Sequence, residues 1–461
     1  MESILSAISN SRRPQQRGIA VFVFALCLIA IVPVMGLAID VAVLYMAQSK
    51  LSAGADAAVL AAARGLSRGS DSSAQQANAV TVATNYVNAA FPTGFLGSSG
   101  LTSATTITLQ ANQRTVTTTA SVTVPLMFMR WVGPSTSIVR ALATATRRDV
   151  NVMLVIDRSG SLQNSGSCTP MKAAAAAFVG QFALGRDNLG LVTFNSASRV
   201  DFAPSQSFSS VATTINALTC IGGTNSGQGL FQGYQQLVSL NQPTALNVIL
   251  FFTDGNPTHT TISSYIKSTS SCASKNTWRT GVIGANAVNP SGFYDPLAPI
   301  QPTSATPGPV SGSSGCAYSS NSNSVASDIS TVDVLDVFGN SISAGSATGY
   351  GSISYSGSNV VIDRTNMLSV AENTTFNAAK RIRQGATTNG SSLAGVYIYS
   401  IGLGTATEPP DAAILRDVAN DLTARNFDSN TRAGLYVEAP SAADLNPAFQ
   451  RVASEVLRLA Q

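Results

Sequence analysis

The stretch "VMLVIDRSGSL", Val152 to Leu162, decides how this chain is read. Its first half is an unbroken apolar run, the pattern of a strand covered on both faces. The run stops on Asp157 and then places hydroxyls at Ser159 and Ser161, with Gly160 between them. An acid and two alcohols at alternate positions make a set of oxygen donors aimed at one point.

From Asn151 onward, continuous apolar segments alternate with segments of helical period, which predicts a parallel sheet with helices on both faces. Strands are expected at Val150 to Ile156, Leu189 to Phe194, Asn247 to Thr253 and Val396 to Ile401. Helices are expected around Met171 to Phe182, Ser226 to Leu240, Phe376 to Arg383, Asp411 to Asn420 and Pro447 to Leu459. The fold class is therefore α/β, a doubly wound parallel sheet. Such sheets bind ligands outside the carboxyl ends of their strands.

Two more oxygen donors fall at that end. The strand "NVILFFT" runs into Asp254 of "FFTDGNPT", and the loop "CIGGTNSGQGL" presents Thr224 behind two glycines and ahead of a helix. Asp157, Ser159, Ser161, Thr224 and Asp254 together form a hard-oxygen set for a divalent cation. Two carboxylates and three neutral hydroxyls suit Mg²⁺ or Mn²⁺, and so little ligand charge leaves the ion able to accept a further carboxylate. Gly160, Gly222 and Gly223 let the backbone approach closely. Alone, "DRSGS" could be only a helix cap or a turn; combined in order with "GGTN" and "FFTDG" it is specific.

This constellation resembles the von Willebrand factor A (vWA) domain and its metal-ion-dependent adhesion site. The DxSxS motif is carried by Asp157, Ser159 and Ser161, the threonine by Thr224 and the distal acid by Asp254. The resemblance covers roughly Asp149 to Leu459, outside one long insertion, and implies a Rossmann-like domain. It also implies that the hydroxyls bind the ion directly or through water, while an acidic group of the partner completes the coordination. Mg²⁺ is the expected ion, with Mn²⁺ and Ca²⁺ as alternatives.

Nearby residues are read more plainly. Arg158 is expected to be an exposed turn residue. His259, the single histidine, is expected to be a hydrogen-bonded loop residue, because an all-oxygen site does not favour imidazole. No serine nucleophile with a paired histidine can be assembled. The loop "GGTNSGQG" lacks the lysine of a phosphate loop. Catalysis is not expected.

At the other end of the 461 residues, Ile19 to Ile39 contains no charge. At helical rise it would cover roughly 32 Å, enough to cross a bilayer. The alternative, a cleaved signal peptide, has a shorter apolar region. Here apolar positions continue at helical spacing past Asp40 through Val41, Leu44, Leu51, Ala55, Val59 and Ala62. Arg12, Arg13 and Arg17 precede the span, a positive-inside bias from which a cytoplasmic N-terminus, with the rest of the chain outside, is expected.

The segment "RGIAVFVFALCLIAIVPVMGLAIDVAVLYMAQSKLSAGADAAVLAAARGL", Arg17 to Leu66, resembles the N-terminal segment of TadE/TadG-like proteins of Tad (Flp) pilus assembly. The likeness rests on Arg17 and Gly18, Asp40 at the exit and the "ADAAVLAAA" run. Where pilin-like members carry a glutamate after the processing glycine, this chain has Val23. The two resemblances imply a TadG-like component of a Tad pilus or adhesion system.

Between the two regions, a polar Ser-rich stretch around Gly65 to Ala79 leads into "TTITLQ", "TVTTTASVTV" and "STSIVRALATATRR", which alternate as strands do. The family resemblance implies a small pilin-like α+β arrangement, read here as a stalk. The expected organisation is a cytoplasmic tip (1–18), a membrane-spanning and continuing helix (19–66), a β-rich stalk (67–148) and the vWA domain (149–461). The insertion at about 258–370 is rich in Ser, Gly, Asn and Thr. A small β lobe including "VDVLDVFG", "GSISYSG" and "NVVIDR" is expected there, with a disordered loop as the alternative.

Charged residues make up only 11% of the chain, against about 25% in ordinary soluble proteins. The net charge of +4 and the lack of Lys/Arg blocks argue against a nucleic-acid partner. Cys168, Cys220, Cys272 and Cys316 lie in polar loops without zinc-binding spacing, which fits disulfides in an oxidising compartment. Free cytosolic thiols are the alternative. The preferred pairs are Cys168–Cys220, both on the rim of the sheet beside the metal loops, and Cys272–Cys316, both in the insertion. The function expected is binding of a protein or cell-surface ligand through a divalent cation, in company with pilus assembly components. The alternatives are a structural minor pilin-like subunit with a dispensable metal site, and a hydrolase.

Overall fold

The computed structural model describes residues 17–66, 71–131, 133–270, 275–285, 290–297, 329–333, 335–340, 349–356, 359–404 and 409–460. Two units are distinguished, one comprising residues up to Gly65, Ala77–Ile107 and Val116–Ala145, the other Leu66–Gln76, Thr108–Thr115 and Thr146 onward.

The N-terminal unit is led by α1 (Arg17–Gly65), a 49-residue helix with Pro33 inside it. It is long and apolar enough to cross a membrane. Its side chains from Val21 to Met35 are exposed where described, whereas Ala47, Leu51, Ala55, Ala58, Val59 and Ala62 form a buried stripe at helical spacing. The polar stretch after Gly65 leads into a second helix. From Ser72 to Ala90 it forms α2, whose Ala79, Ala83 and Val87 recur every fourth residue and are buried. Three strands follow, β1 (Ser99–Gln110), β2 (Gln113–Pro125) and β3 (Thr136–Arg148), in the order β1-β2-β3. Asn112, in the two-residue connection between β1 and β2, has φ of 60°, a left-handed conformation that asparagine adopts more readily than most residues. Along β2, Val116, Thr118, Ala120, Val122 and Val124 alternate inward.

The C-terminal unit also takes in two segments that come before residue 149. Leu66–Gln76 and Thr108–Thr115 belong to it, because the Leu66 carbonyl accepts from Arg186 at 2.9 Å and Arg114 lies 3.6 Å from Asp149. Its elements are β4 (Val150–Asp157), α3 (Gly160–Asn164), α4 (Cys168–Val179), β5 (Asn188–Phe194), β6 (Ser198–Ser205), α5 (Val211–Asn216), α6 (Ser226–Leu240) and β7 (Leu246–Thr253). An inserted lobe holds β8 (His259–Ile266), β9 (Trp278–Gly284), β10 (Ser291–Tyr294), β11 (Ile329–Asp333), β12 (Tyr355–Ser356) and β13 (Asn359–Val360). The main fold resumes with α7 (Arg364–Arg383), β14 (Tyr397–Leu403), α8 (Ala412–Ala419), β15 (Tyr436–Ala439) and α9 (Leu445–Leu459).

The six-stranded sheet runs β15-β14-β7-β4-β5-β6. All neighbours are parallel except β6, which returns antiparallel beside β5. In β4, Val150, Val152, Leu154 and Ile156 enter one core with α4, α5 and α9, while Met153 and Val155 enter another with α6, α7 and α8. That is the period-two division of a strand covered on both sides. At the amino ends of β5, β4 and β7, Asn188, Asn151 and Asn247 stand in register and are joined by hydrogen bonds of 2.8 and 2.9 Å. These pairings hold the central strands level, so their carboxyl ends emerge together.

The lobe sheet has the order β10-β9-β8-β11 and its own apolar cluster around Ile262, Ile266, Ile283 and Val332. Met367 and Val370 of α7 join that cluster, whereas Phe376, Ala379 and Ile382 of the same helix pack on the main sheet. The helix therefore starts well before the expected Phe376, capped by the Asp363 carboxylate at the Asn366 N–H. Of the segments expected to be strands here, "VDVLDVFG" supplies only the end of β11 and then turns through 337–340.

Candidate metal centre

β4 lies between β5 and β7. The chain winds to one side of β4 through β5 and β6, then crosses back to its other side at β7, creating a switch-point crevice at the carboxyl ends. Asp157 ends β4, Asp254 follows β7, and Thr224 immediately precedes Asn225, the N-cap of α6. The Asn225 side chain accepts from the Gln228 N–H at 3.4 Å, starting that helix directly behind the threonine.

These positions meet in space. Ser159, Ser161, Gly222, Gly223, Thr224 and Asp254 line one open cleft of about 520 Å³, with Gly255, Asn256, Thr258 and Pro409 completing its wall. Ser161 Oγ donates to Asp254 Oδ1 at 2.8 Å, and the Ser159 and Ser161 hydroxyls are 2.9 Å apart. Ser159 Oγ is 3.5 Å from the same Asp254 oxygen. Asp157 sits beneath them, fully buried, accepting from the Ser159 N–H at 2.8 Å and from Thr253 Oγ1 at 2.5 Å.

Burial first, and then the neighbouring charge of Asp254, push the Asp157 carboxyl up to about 8, against the pull of the Thr253 and Ser159 hydrogen bonds. The Arg158 guanidinium interacts with the Asp157 charge but does not bring the carboxyl back to its ordinary value. Two acids drawn together with neutral hydroxyls, and a buried one whose charged form is disfavoured, are an arrangement that a bound divalent ion would relieve. The donors are hard oxygens, and among the described residues no cluster of three His, Cys, Asp or Glu competes as a metal site.

The loops are held from behind. Gly160 N–H donates to the Gly222 carbonyl at 2.9 Å, and the Gly223 N–H donates to Ser196 Oγ at 2.9 Å. Thr258 Oγ1 accepts from the Thr224 N–H at 3.1 Å, while the Thr224 carbonyl accepts from the N–H groups of Thr258 and His259 at 2.9 and 3.0 Å. Gly222 has φ of 87°, and a Cβ on Gly223 would fall 2.0 Å from the His259 ring, so glycine is required at both positions. Cys168 and Cys220 form a disulfide that joins the start of α4 to this second loop. Cys272 and Cys316 lie outside the described residues.

Two expectations need correction or refinement. Arg158 is not an exposed turn residue: it is 1% exposed and its guanidinium donates to the Thr219 carbonyl at 3.3 Å, bracing the loop beside Cys220. The reason is that the loop from Thr219 to Gly222 folds over it. His259 opens β8 rather than lying in a loop, with Nδ1 3.0 Å from Thr258 Oγ1 and its ring against Gly223 and Gly284. Sequence reasoning missed Thr253, Ser196 and Thr258, which contact the ligand-bearing groups. The one usable signal was that Thr253 interrupts an apolar strand one residue before an acid.

Residues 152–256 match the family described as "von Willebrand factor type A domain", and residues 18–65 match the one described as "Putative Flp pilus-assembly TadE/G-like". The chain thus carries a vWA-like segment behind a TadE/G-like one. A curated relative, calcium-activated chloride channel regulator 3A-1 of Mus musculus, is 31% identical over 115 residues, or 24% of this chain and 12% of that protein. The chain thus spans a small part of that relative's length. Among solved structures, the vWF domain of the type V pili tip protein Mfa5 from Porphyromonas gingivalis is 17% identical, with 69% of this chain and 98% of that chain covered and a TM-score of 0.39. The PilB minor pilin from Streptococcus sanguinis is 14% identical, with 78% and 79% covered and a TM-score of 0.38.

Proposed function

We propose that this TadG-like chain is a membrane-anchored, extracytoplasmic component of a Tad/Flp-type pilus assembly or adhesion system, and that its vWA domain grips a partner through a divalent cation. The observation that carries the reading is the convergence of Ser159, Ser161, Thr224 and Asp254 on one open cleft with Asp157 directly beneath. A divalent ion held there, Mg²⁺ in first place, would offer a vacant coordination position to a carboxylate of a protein or surface ligand.

The protein's residues have distinct parts in this. Asp254 and the two serines present oxygens to the cleft, Thr224 lines it beside them, and Asp157 holds the serine turn through its bond to the Ser159 N–H. Placement outside the cytoplasm is supported by Arg12, Arg13 and Arg17 ahead of the apolar span, and by the Cys168–Cys220 bond. The reading is of a binding protein, not an enzyme.

The test is Asp157→Ala and Asp254→Ala in cells that assemble the pilus. Adhesion or partner binding is expected to fail while assembly survives. Adhesion that persists in both variants would make the metal site dispensable and the chain a structural subunit.

A further inference from the structure

Asp40 is the first charge after the apolar run of α1, and it is 2% exposed. Its carboxylate accepts three consecutive backbone N–H groups of the turn between β2 and β3: Met127 at 2.8 Å, Phe128 at 3.0 Å and Met129 at 2.7 Å. One helical turn earlier, a Cβ on Gly36 would lie 2.5 Å from the Phe128 ring, so that ring rests directly on the helix backbone. Gly36 is roughly 6 Å back along the helix, within the apolar run. The turn is ordered by its own bonds, Leu126 N–H to the Ser135 carbonyl at 2.9 Å and Gly133 N–H to the Met129 carbonyl at 2.7 Å.

What this turn shows to its surroundings is apolar. Trp131 is 78% exposed and Met127 63%, with the Arg130 guanidinium 5.4 Å from the centre of the Trp131 ring. On α1, Tyr45 just past Asp40 is 74% exposed. Tryptophan and tyrosine with a basic neighbour, held level with the end of an apolar span, match the chemistry of the membrane–water boundary. In water these side chains would leave a costly apolar patch.

We propose that the Met127–Trp131 turn is a second membrane contact: it lies in the headgroup–acyl boundary of the leaflet where α1 emerges, with Met127 and Trp131 among the upper acyl carbons and Arg130 at the lipid phosphates. Asp40 is the positioning residue that fixes the turn at that depth. The occupant is a phospholipid surface, because the turn is continuous with the span itself. The inference rests on the reading of α1 as a membrane anchor.

The chain contains two tryptophans, so Trp278→Phe leaves Trp131 as the single reporter. The full chain is reconstituted into phosphatidylcholine–phosphatidylglycerol vesicles, checked by carbonate-resistant flotation, and titrated with iodide and with brominated lipid. Trp131 emission is expected to fall about twofold or more with shallow-brominated lipid and to resist iodide. In Asp40→Ala that still floats, lipid quenching is expected to drop and iodide quenching to rise. A chain that floats with Trp131 open to iodide overturns the proposal and leaves the anchor intact, as does a Trp131 shielded from both quenchers, which would mean a protein covers it. A chain that does not float overturns the anchor reading and the proposal with it.

Discussion

Thr253 Oγ1 donates to Asp157 Oδ2 at 2.5 Å, from the last residue of β7 to the last residue of β4. One acid's orientation is thereby set by the strand that delivers the other acid, Asp254. Both ends of the Asp157 carboxylate are engaged, since Oδ1 takes the Ser159 N–H.

Removing the hydroxyl should therefore loosen cation binding without touching a cleft-lining oxygen. Thr253→Val keeps the shape of a buried strand residue and deletes the bond. Partners of this kind, one step behind the ligands, are typically worth about 10- to 100-fold in metal affinity. Titration of Mg²⁺ into the variant should show a loss in that range with the far-ultraviolet circular dichroism unchanged. Affinity equal to wild type would mean that Thr253 does not orient Asp157.

Much of this site was legible because its residues break the local pattern. Asp157 and Asp254 end apolar runs, and Gly222 and Gly223 precede Thr224 where a helix must start. The central strands were legible for the same reason, being apolar throughout. What escaped is polar structure held by tertiary contacts. The edge strand β6, "SRVDFAPS", alternates only briefly, with Val200 and Phe202 set between Arg199, Asp201 and Ala203 and a proline at its end, and it is held by pairing with β5 and by the Thr193 hydroxyl's bond to Asp201. Helix α2 is rich in Ser, Gln, Asn and Thr, so its three inward-facing apolar positions were diluted. In the lobe, β8 and β9 hide in a Ser/Thr-rich composition, although His259 to Tyr265 pair regularly with Gly284 to Trp278. Arg158 was misread because nothing local tells an exposed turn arginine from one covered by a loop 61 residues further on.

The Cys168–Cys220 bond closes 52 residues and fastens one metal-bearing loop to the helix that follows the other. In the chain-entropy account a loop of that size contributes about 4 kcal/mol. Cys168→Ser with Cys220→Ser should lower the urea midpoint accordingly, and should weaken Mg²⁺ binding by freeing the loop that carries Thr224. A midpoint within error of wild type would count against this role.

His259 gives the stability a defined pH dependence. Burial holds its imidazole down at about 4, against an ordinary value of 6.5. As pH falls through 6.5 the unfolded chain gains a proton that the folded chain refuses, so stability is lost progressively down to about pH 4. Above 6.5 the effect vanishes. The full loss is about 3 kcal/mol. Without a cation Asp157 acts in the opposite sense, because its raised folded value costs stability as pH rises from 3.8 to about 8. The His259 contribution is therefore read as the difference between wild type and His259→Gln, both with chelator, in denaturation series from pH 4 to 7. Wild type should lose ground to the variant as pH falls; parallel curves would show that the imidazole is not buried in its neutral form.

The central claim is that Ser159, Ser161, Thr224 and Asp254, on three separate loops and backed by Asp157, hold one divalent ion. Its most direct test is calorimetric titration of Mg²⁺ into the chelator-stripped full chain in detergent, beside Asp254→Ala. The account predicts saturable uptake of one ion by wild type, a melting temperature that rises with Mg²⁺, and neither in the variant. Wild-type protein that melts cooperatively yet takes up no Mg²⁺, Mn²⁺ or Ca²⁺ would contradict it.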